Sequence, residues 1–256
     1  MDHRIPRHPA SRLRRSTALG VSLLGAVGLG GGCTAPADDQ GRSAAPTPSA
    51  TVSTPSATAP TPSPTGRTRV TIPTSAFLDL PPELRKSPRA ATPVANALPK
   101  LCDEEFGTGG RAVTASASMM NVYKQIGDPP ENVPYGTVTQ TIFSFEGEGA
   151  SDYLRRLRGS LGSCPSFRRS GATVDVRTRP LPGVGDEALL VTQTWPQTDL
   201  QGNRTGGDAV TQIAVIRVDD VTTVLHDQGW EGTSGSPDLM DDFTRAAVRA
   251  LDTWRR

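Results

Sequence analysis

Side chains that could carry catalysis are few after residue 66, and none falls in a recognisable catalytic pattern. His226 is the only histidine in this part of the chain. A hydrolase triad would need an activated serine beside it, and the sequence contains no G-x-S-x-G elbow, H-E-x-x-H helix, Walker loop or dinucleotide-binding glycine loop. We therefore expect a protein without catalytic residues, in which His226 lies on the face or the edge of a strand.

The spacing of the acidic residues and cysteines indicates neither a catalytic carboxylate pair nor a metal site. Asp152, Asp175, Asp186 and Glu187 could supply paired carboxylates, but nothing in their spacing singles out a pair. A zinc site is disfavoured, because two cysteines and one distant histidine do not match the ligand patterns of zinc proteins. We expect neither a metal nor a cofactor.

Two tryptophans are the candidate contacts for a ligand. Trp195 and Trp230 lie at or near the ends of predicted strands, where exposed aromatic rings often line a pocket. The alternative is that both rings close the ends of a small core. We take Trp195 and Trp230, together with His226, as candidate ligand-binding residues.

The N-terminus is typical of an exported protein. Residues 1–32 contain a basic segment, an apolar run from Ala18 to Leu29 and three glycines before Cys33, as in a secretory signal peptide. The apolar run is shorter than the roughly 20 residues that span a bilayer as a helix. Arg14 and Arg15 leave open whether export follows the general secretory or the twin-arginine route.

The end of this segment resembles a bacterial lipobox, in which the cysteine after the cleavage site receives a lipid. Leu29 precedes Cys33 by four positions, whereas a lipobox usually has leucine three positions before the cysteine. The resemblance implies a palmitate-bearing lipid anchor on Cys33 and a location at the extracellular face of the cell membrane. Ordinary cleavage, leaving a spare thiol, is the alternative.

A long segment with almost no large apolar residues contains the lipidation site and continues after it. Residues 33–66 consist mainly of Ala, Pro, Ser and Thr, a composition that cannot bury enough apolar surface to offset the entropy of ordering. We predict a disordered, semi-rigid tether.

The remaining part, residues 67–256, is predicted to form one extracellular domain. Six of the 27 basic residues and three of the 26 acidic ones precede it, so the domain carries a small excess of acid. It therefore lacks the basic surface of a nucleic-acid-binding protein. Cys102 and Cys164 form an even pair in an exported domain, which favours a disulfide over two free thiols.

Alternating and helical patterns predict an α+β domain, with an antiparallel β-sheet and helices packed on one face. The Asp219-Asp220 pair is typical of a tight hairpin. The predicted helices run from a cap at Ser151 to Pro165 and from a cap at Ser236 to Trp254. The predicted strands are Gly110–Ile126, Gly136–Phe145, Ala172–Thr178, Asp186–Trp195, Asp208–Val218 and Val221–Asp227.

Three segments resemble the PknH-like extracellular sensor domain family of actinobacterial receptor kinases and lipoproteins. They are Tyr153–Phe167, Gly183–Val191 and Val215–Leu225. The resemblance implies an α+β fold with a cleft for an extracellular ligand and no catalytic residues. The kinase ectodomains carry two disulfides, whereas Cys102 and Cys164 allow one here.

These features predict a cell-surface lipoprotein with a non-catalytic, sensor-type ligand-binding domain. Its ligand would be a small molecule, a lipid or a cell-envelope fragment, and signalling would need an envelope partner because the chain has no kinase domain. The alternatives are a protein-interaction module that docks on a signalling or cell-wall protein, and an unrecognised envelope enzyme. A pocket would favour a small ligand, whereas an exposed apolar patch would favour a protein partner.

Overall fold

A computed structural model describes residues 70–102, 104–199 and 201–256. The predicted signal peptide, the lipidation site Cys33 and the predicted tether lie outside these residues. Within the described ranges, none of the helices combines the length and the apolar character needed to cross a membrane.

The described part of the domain is built on one long antiparallel sheet, with a separate two-stranded pair. In chain order the elements are β1 (Ala90–Ala91), α1 (Val94–Ala97), β2 (Lys100–Leu101), β3 (Glu104–Glu105), β4 (Val113–Tyr123), β5 (Gly136–Phe145), α2 (Gly149–Gly162), β6 (Ser166–Arg169), β7 (Ala172–Pro180), β8 (Glu187–Thr198), β9 (Arg204–Val218), β10 (Val221–Gly229) and α3 (Met240–Arg255). Single turns of 3-10 helix occur at Thr74–Ala76, Trp230–Gly232 and Pro237–Leu239. The eight strands of the main sheet are ordered β1-β4-β5-β10-β9-β8-β7-β6, and β2 and β3 form the separate pair.

The predicted α+β class and antiparallel sheet are confirmed, but the prediction that the helices share one face is wrong. Along β8, Leu190 packs in the same buried cluster as α3, whereas its neighbour Leu189 packs with α2. On β9, Ile216 and Val215 divide between the two clusters in the same way. Because successive side chains of a strand point to opposite faces, α2 and α3 cover opposite faces of the sheet.

The helix ends differ from those predicted. α2 begins at Gly149, two residues before the predicted cap Ser151. The side chain of Ser236 makes no capping hydrogen bond, and the Pro237–Leu239 turn separates it from the start of α3. The apolar side chains that recur at helical spacing are buried against the sheet, because this spacing puts them on one side of each helix. They are Tyr153, Leu154, Leu157 and Leu161 in α2 and Met240, Phe243, Ala247 and Leu251 in α3.

Two local predictions are confirmed. Asp219 and Asp220 form the turn between β9 and β10, where Val218 pairs with Val221 and Asp219 adopts a left-handed φ of 52°. Cys102 and Cys164 form a disulfide with their Cα atoms 6.1 Å apart. The disulfide joins the segment after β2 to the residue that follows α2 and its cap, so it fixes the end of this helix to the chain that precedes β4.

Candidate ligand-binding site

The sheet face that α2 covers continues beyond the helix into a polar region. Gln193 on β8 pairs with Thr211 on β9, and His226 on β10 pairs with Ile213, two residues along β9. Gln193, Thr211 and His226 are all buried, and their positions in the strand alternation put them on the α2 face. A patch of neutral polar side chains therefore lies next to the apolar core under α2.

The β6–β7 hairpin reaches along β8 to this polar patch. Arg169 pairs with Ala172 across a two-residue turn, and Asp175 pairs with Thr194. The hairpin tip consequently extends beside the last residues of β8. Ser170 and Gly171 in the turn have φ values of 49° and 82°, the left-handed pair that a type I′ turn requires.

A cavity of about 820 Å³ opens between the hairpin tip and the ends of β8, β9 and β10. Its volume falls within the range of roughly 300–1,000 Å³ that is usual for small-molecule sites. The turn glycines Gly171, Gly202 and Gly232 contribute to its wall. We refer to it as the arginine–tryptophan cavity, after lining residues that include Arg168, Arg169, Trp195, Arg204, Thr211 and Gln228.

Arg169 and Trp195 form the wall at the hairpin tip. The guanidinium carbon of Arg169 lies 4.2 Å from the centroid of the Trp195 ring, a cation–π arrangement. A guanidinium nitrogen of Arg169 also donates to Oε1 of Gln193 at 3.4 Å. Partial burial lowers the pKa of Arg169. Trp195 is half-buried, so this cation is held against an aromatic ring at the edge of the cavity.

His226 lies beneath the cavity and contacts Gln228, one of its lining residues. The amide nitrogen of Gln228 is 2.9 Å from Nδ1 and 3.0 Å from Nε2 of the imidazole. Burial, and secondly the positive charge of Arg169, lowers the pKa of His226 to about 3. The ring is therefore neutral at physiological pH, and its unprotonated nitrogen can accept a hydrogen bond from the Gln228 amide.

The charge of the cavity is positive. Arg168, Arg169 and Arg204 line it, and no Asp or Glu is among the described residues that do so. Arg168 donates to the carbonyl of Gly171 at 2.6 Å and to Oγ1 of Thr173 at 3.3 Å, bonds within its own hairpin. None of the three arginines forms an ion pair with a carboxylate in the described part of the chain.

The loop after β10 is fixed from the opposite face of the sheet. The Tyr123 hydroxyl donates to Oδ1 of Asp227 at 2.6 Å, and the backbone N–H of Ser236 donates to Oδ2 at 2.6 Å. Burial raises the pKa of Asp227 to about 6, and the two hydrogen bonds oppose this rise. Gly232 and Thr233, in the loop that these bonds anchor, line the cavity.

The structure separates the three residues predicted to bind a ligand. Trp195 lines the cavity, and His226 lies under it in contact with Gln228. Trp230 follows Gly229 in a 3-10 turn, where its backbone N–H donates to the carbonyl of Tyr135, and it does not line the cavity. Trp230 therefore has no part in the site described here.

The sequence analysis missed Arg168 and Arg169, because it placed no strand at Ser166–Arg169. This four-residue strand shows no alternation of apolar and polar residues. The usable signal was the Ser170-Gly171 dipeptide between two short extended segments, which is typical of a hairpin turn. That signal would have placed Arg169 at a hairpin tip.

A second cavity, of about 720 Å³, lies between α2 and the glycine-rich loop before β4. Tyr153 and the disulfide contribute to it, and the Tyr153 hydroxyl is already bonded to the carbonyl of Phe106 at 2.8 Å. Its two arginines, Arg111 and Arg156, share the wall with Asp152. We assign the site to the arginine–tryptophan cavity, because that cavity combines a stacked aromatic ring with an excess of one charge.

The chain matches no protein-family model, no curated protein and no solved structure. The resemblance to the PknH-like sensor domains accordingly stays a prediction. Any functional assignment depends on the geometry and the charge of the cavity.

Proposed function

We propose that this protein is a cell-surface lipoprotein whose domain, residues 67–256, binds a small ligand in the arginine–tryptophan cavity without transforming it. The observation that carries the proposal is the arrangement of Arg169 on Trp195 at the edge of a cavity of ligand size. An aromatic ring with convergent polar groups is the usual composition of a small-molecule site.

The chemistry of the cavity favours binding over catalysis. His226, the one imidazole in the described residues, has a pKa far below neutrality and contacts Gln228 through its ring nitrogens. A general base needs a pKa near the working pH and access to the substrate proton, and His226 has neither. The arginines can bind and orient a ligand, but guanidinium groups stay protonated and do not transfer protons.

A sensor role follows from the predicted location and from the family resemblance. An extracellular domain on a lipid anchor can bind molecules outside the membrane but cannot carry a signal across it. The ligand would therefore act through an envelope partner that distinguishes the occupied from the empty domain. The antiparallel sheet and the Cys102–Cys164 disulfide are compatible with the PknH-like sensor fold that the sequence predicts.

The binding proposal is tested by thermal stability. A low-molecular-weight extract of the source-cell envelope should raise the Tm of the purified protein, because a ligand that binds only the native state stabilises it by mass action. Trp195→Ala should abolish the rise, and Trp230→Ala, the matched control, should retain it. A rise that survives in Trp195→Ala would contradict the proposed site.

The location is tested separately at the predicted lipidation site. Cys33→Ser should move the protein from the membrane fraction to the soluble fraction of fractionated cells, because the lipid is the proposed anchor. Unchanged membrane retention would contradict a lipid anchor on Cys33.

A second candidate function is docking on an envelope protein, and one observation favours it. Ile126 and Val133, both in the β4–β5 loop, are 68% and 74% exposed. Large apolar side chains that are exposed on one loop are candidates for contact with a protein partner. A photo-crosslinking residue at position 126 should then capture one discrete protein in intact cells, whereas the same residue at the exposed position Arg179 should not.

A further inference from the structure

We infer that the ligand of the arginine–tryptophan cavity carries an oxyanion, a phosphate or carboxylate group, which binds to Arg169 and Arg204 beside the ring of Trp195. The inference deepens the proposed function and rests on it. It names the chemical class that the site selects.

Arg169 has free hydrogen-bonding capacity. A guanidinium has five N–H donors in a planar fork, a geometry that matches the oxygens of phosphate and carboxylate groups. Arg169 uses one of its nitrogens for a bond of 3.4 Å to Gln193. The cation–π contact with Trp195 holds the group against the ring. Donors thus remain for a ligand, on a side chain that is already oriented.

Arg169 is a cation without an anionic partner among the described residues. Its side chain is exposed, but its guanidinium lies against the Trp195 ring, and partial desolvation lowers its pKa. The polar groups beneath it, Gln193, Thr211 and His226, are neutral at physiological pH. A partly desolvated charge is stabilised most by an opposite charge in the same low-dielectric surroundings. The described lining residues supply no negative charge. An anionic ligand would supply it.

The charge of the cavity selects among ligands. The chain after residue 66 carries slightly more acidic than basic residues, yet this cavity is lined by three arginines and by no described acid. A cleft of one sign raises the local concentration of ligands of the opposite sign. A cationic ligand would be repelled, and a neutral one would leave the arginines uncompensated.

Arg204 is a further cation in the lining of the cavity. It begins β9, where it pairs with Thr198 of β8, and its side chain is exposed. Because no described residue forms an ion pair with it, its substitution should change binding without affecting the fold. Substitution of Arg204 therefore tests the inference without disturbing the fold, whereas substitution of Arg169 removes the cation that contacts Trp195.

The test uses the intrinsic fluorescence of the full-length protein in detergent. The chain has three tryptophans, so the Trp230→Phe, Trp254→Phe background leaves Trp195 as the single reporter. Glycerol 3-phosphate and glucuronate are titrated as anions, with glycerol and glucose as their neutral counterparts. Phosphatidylglycerol vesicles, with phosphatidylcholine vesicles as the control, show whether the oxyanion belongs to a lipid headgroup or to a soluble molecule.

We expect a saturable fluorescence change with at least one anionic probe and none with its neutral counterpart. Arg169→Gln and Arg204→Gln should each weaken this binding at least tenfold, and 0.5 M salt should weaken it further. Arg179→Gln, on the exposed surface of the same hairpin, is the matched control and should bind as the parent does. The Tm of each variant shows that the fold is intact.

Two results would overturn the inference. The first is that neutral probes bind as tightly as the anions and that neither Arg169→Gln nor Arg204→Gln affects binding. This result would contradict the preference for an oxyanion, but it would not contradict the proposed binding function. The second is that no anionic probe gives a response. The envelope-extract experiment then shows whether the binding function fails as well, because a Tm rise that depends on Trp195 would support ligand binding without an oxyanion.

Discussion

At the scale of single residues, two neighbours on β10 are perturbed in opposite directions. His226 faces the cavity side of the sheet, near the charge of Arg169, and burial lowers its pKa to about 3. Asp227 faces the other side, with the Tyr123 hydroxyl on its carboxylate, and burial raises its pKa to about 6. In both cases the folded protein favours the neutral form of the side chain more than the unfolded chain does.

These shifts predict opposite pH dependences of stability. The folded-state pKa of His226 lies below its ordinary value of 6.5, so its contribution is present above pH 6.5 and is lost as the pH falls towards 3. The folded-state pKa of Asp227 lies above its ordinary 3.8, so its contribution is present below about pH 4 and is lost as the pH rises to 6. Between pH 4 and 6 the two slopes oppose each other.

We therefore expect two variants to diverge from the wild type in this window. In Asp227→Asn the free energy of unfolding should rise with pH more steeply than in the wild type, by up to about 1.4 kcal/mol per pH unit for one proton. In His226→Gln it should rise less steeply or fall. Urea denaturation at pH 4, 5 and 6 measures these slopes. Variants whose slopes equal that of the wild type would show that neither group is perturbed.

At the scale of elements, the hairpin turn between β6 and β7 controls the position of Arg169. Gly171 has a φ of 82°, and a Cβ atom there would meet no other atom within 4 Å. Substitution would therefore cost backbone energy alone, about 1–2 kcal/mol for a left-handed residue with a side chain. A branched side chain should raise this cost further.

We predict that Gly171→Val destabilises the domain by at least 1 kcal/mol and weakens ligand binding, because it displaces the turn that presents Arg169. Gly159→Ala is the matched control. Gly159 lies in α2 with open space at its Cβ position, and alanine there should stabilise the helix by up to about 1 kcal/mol. Denaturation of both variants measures the difference, and equal effects at the two positions would contradict the proposed turn.

The predictability of each element depended on how strong its local signal was. β5 was predicted with the bounds that the structure gives, Gly136–Phe145, because β-branched residues alternate along it. The β9–β10 turn was predicted from Asp219 and Asp220. The helical spacing of apolar residues predicted both α2 and α3, but this spacing does not specify which face of the sheet each helix covers.

The site was less predictable than the fold, because long-range register forms it. Trp195 was recognised as an aromatic ring at a strand end, whereas Arg169 comes to it through the pairing of β6, β7 and β8. Nothing in the local sequence of Ser166–Arg169 states that register. His226 was recognised only because it is the single histidine after residue 66. Its burial depends on the position of β10 between β5 and β9.

At the scale of the whole molecule, the disulfide links the segment after β2 to the end of α2. Cys102 and Cys164 are 62 residues apart in sequence, and closing a loop of that length stabilises the native state by at most about 4 kcal/mol in the chain-entropy model. The bridge lies next to the second cavity and on the same layer as the apolar core under α2.

Reduction should accordingly lower the Tm of the protein by several degrees. Cys102→Ser should show the same loss without reductant and no further loss with it, which serves as the internal control. Thermal unfolding followed by circular dichroism, with and without reductant, measures both. Identical melting of the wild type under the two conditions would argue against a stabilising bridge.

Native mass spectrometry of protein recovered from the envelope of its source cells shows whether the arginine–tryptophan cavity is occupied. We predict one discrete additional mass on the wild type, from a compound that ionises as an anion once released. That mass should be absent from Trp195→Ala and strongly reduced in Arg204→Gln. A wild type that carries no additional mass, or a mass that both variants retain, would contradict ligand binding in the arginine–tryptophan cavity.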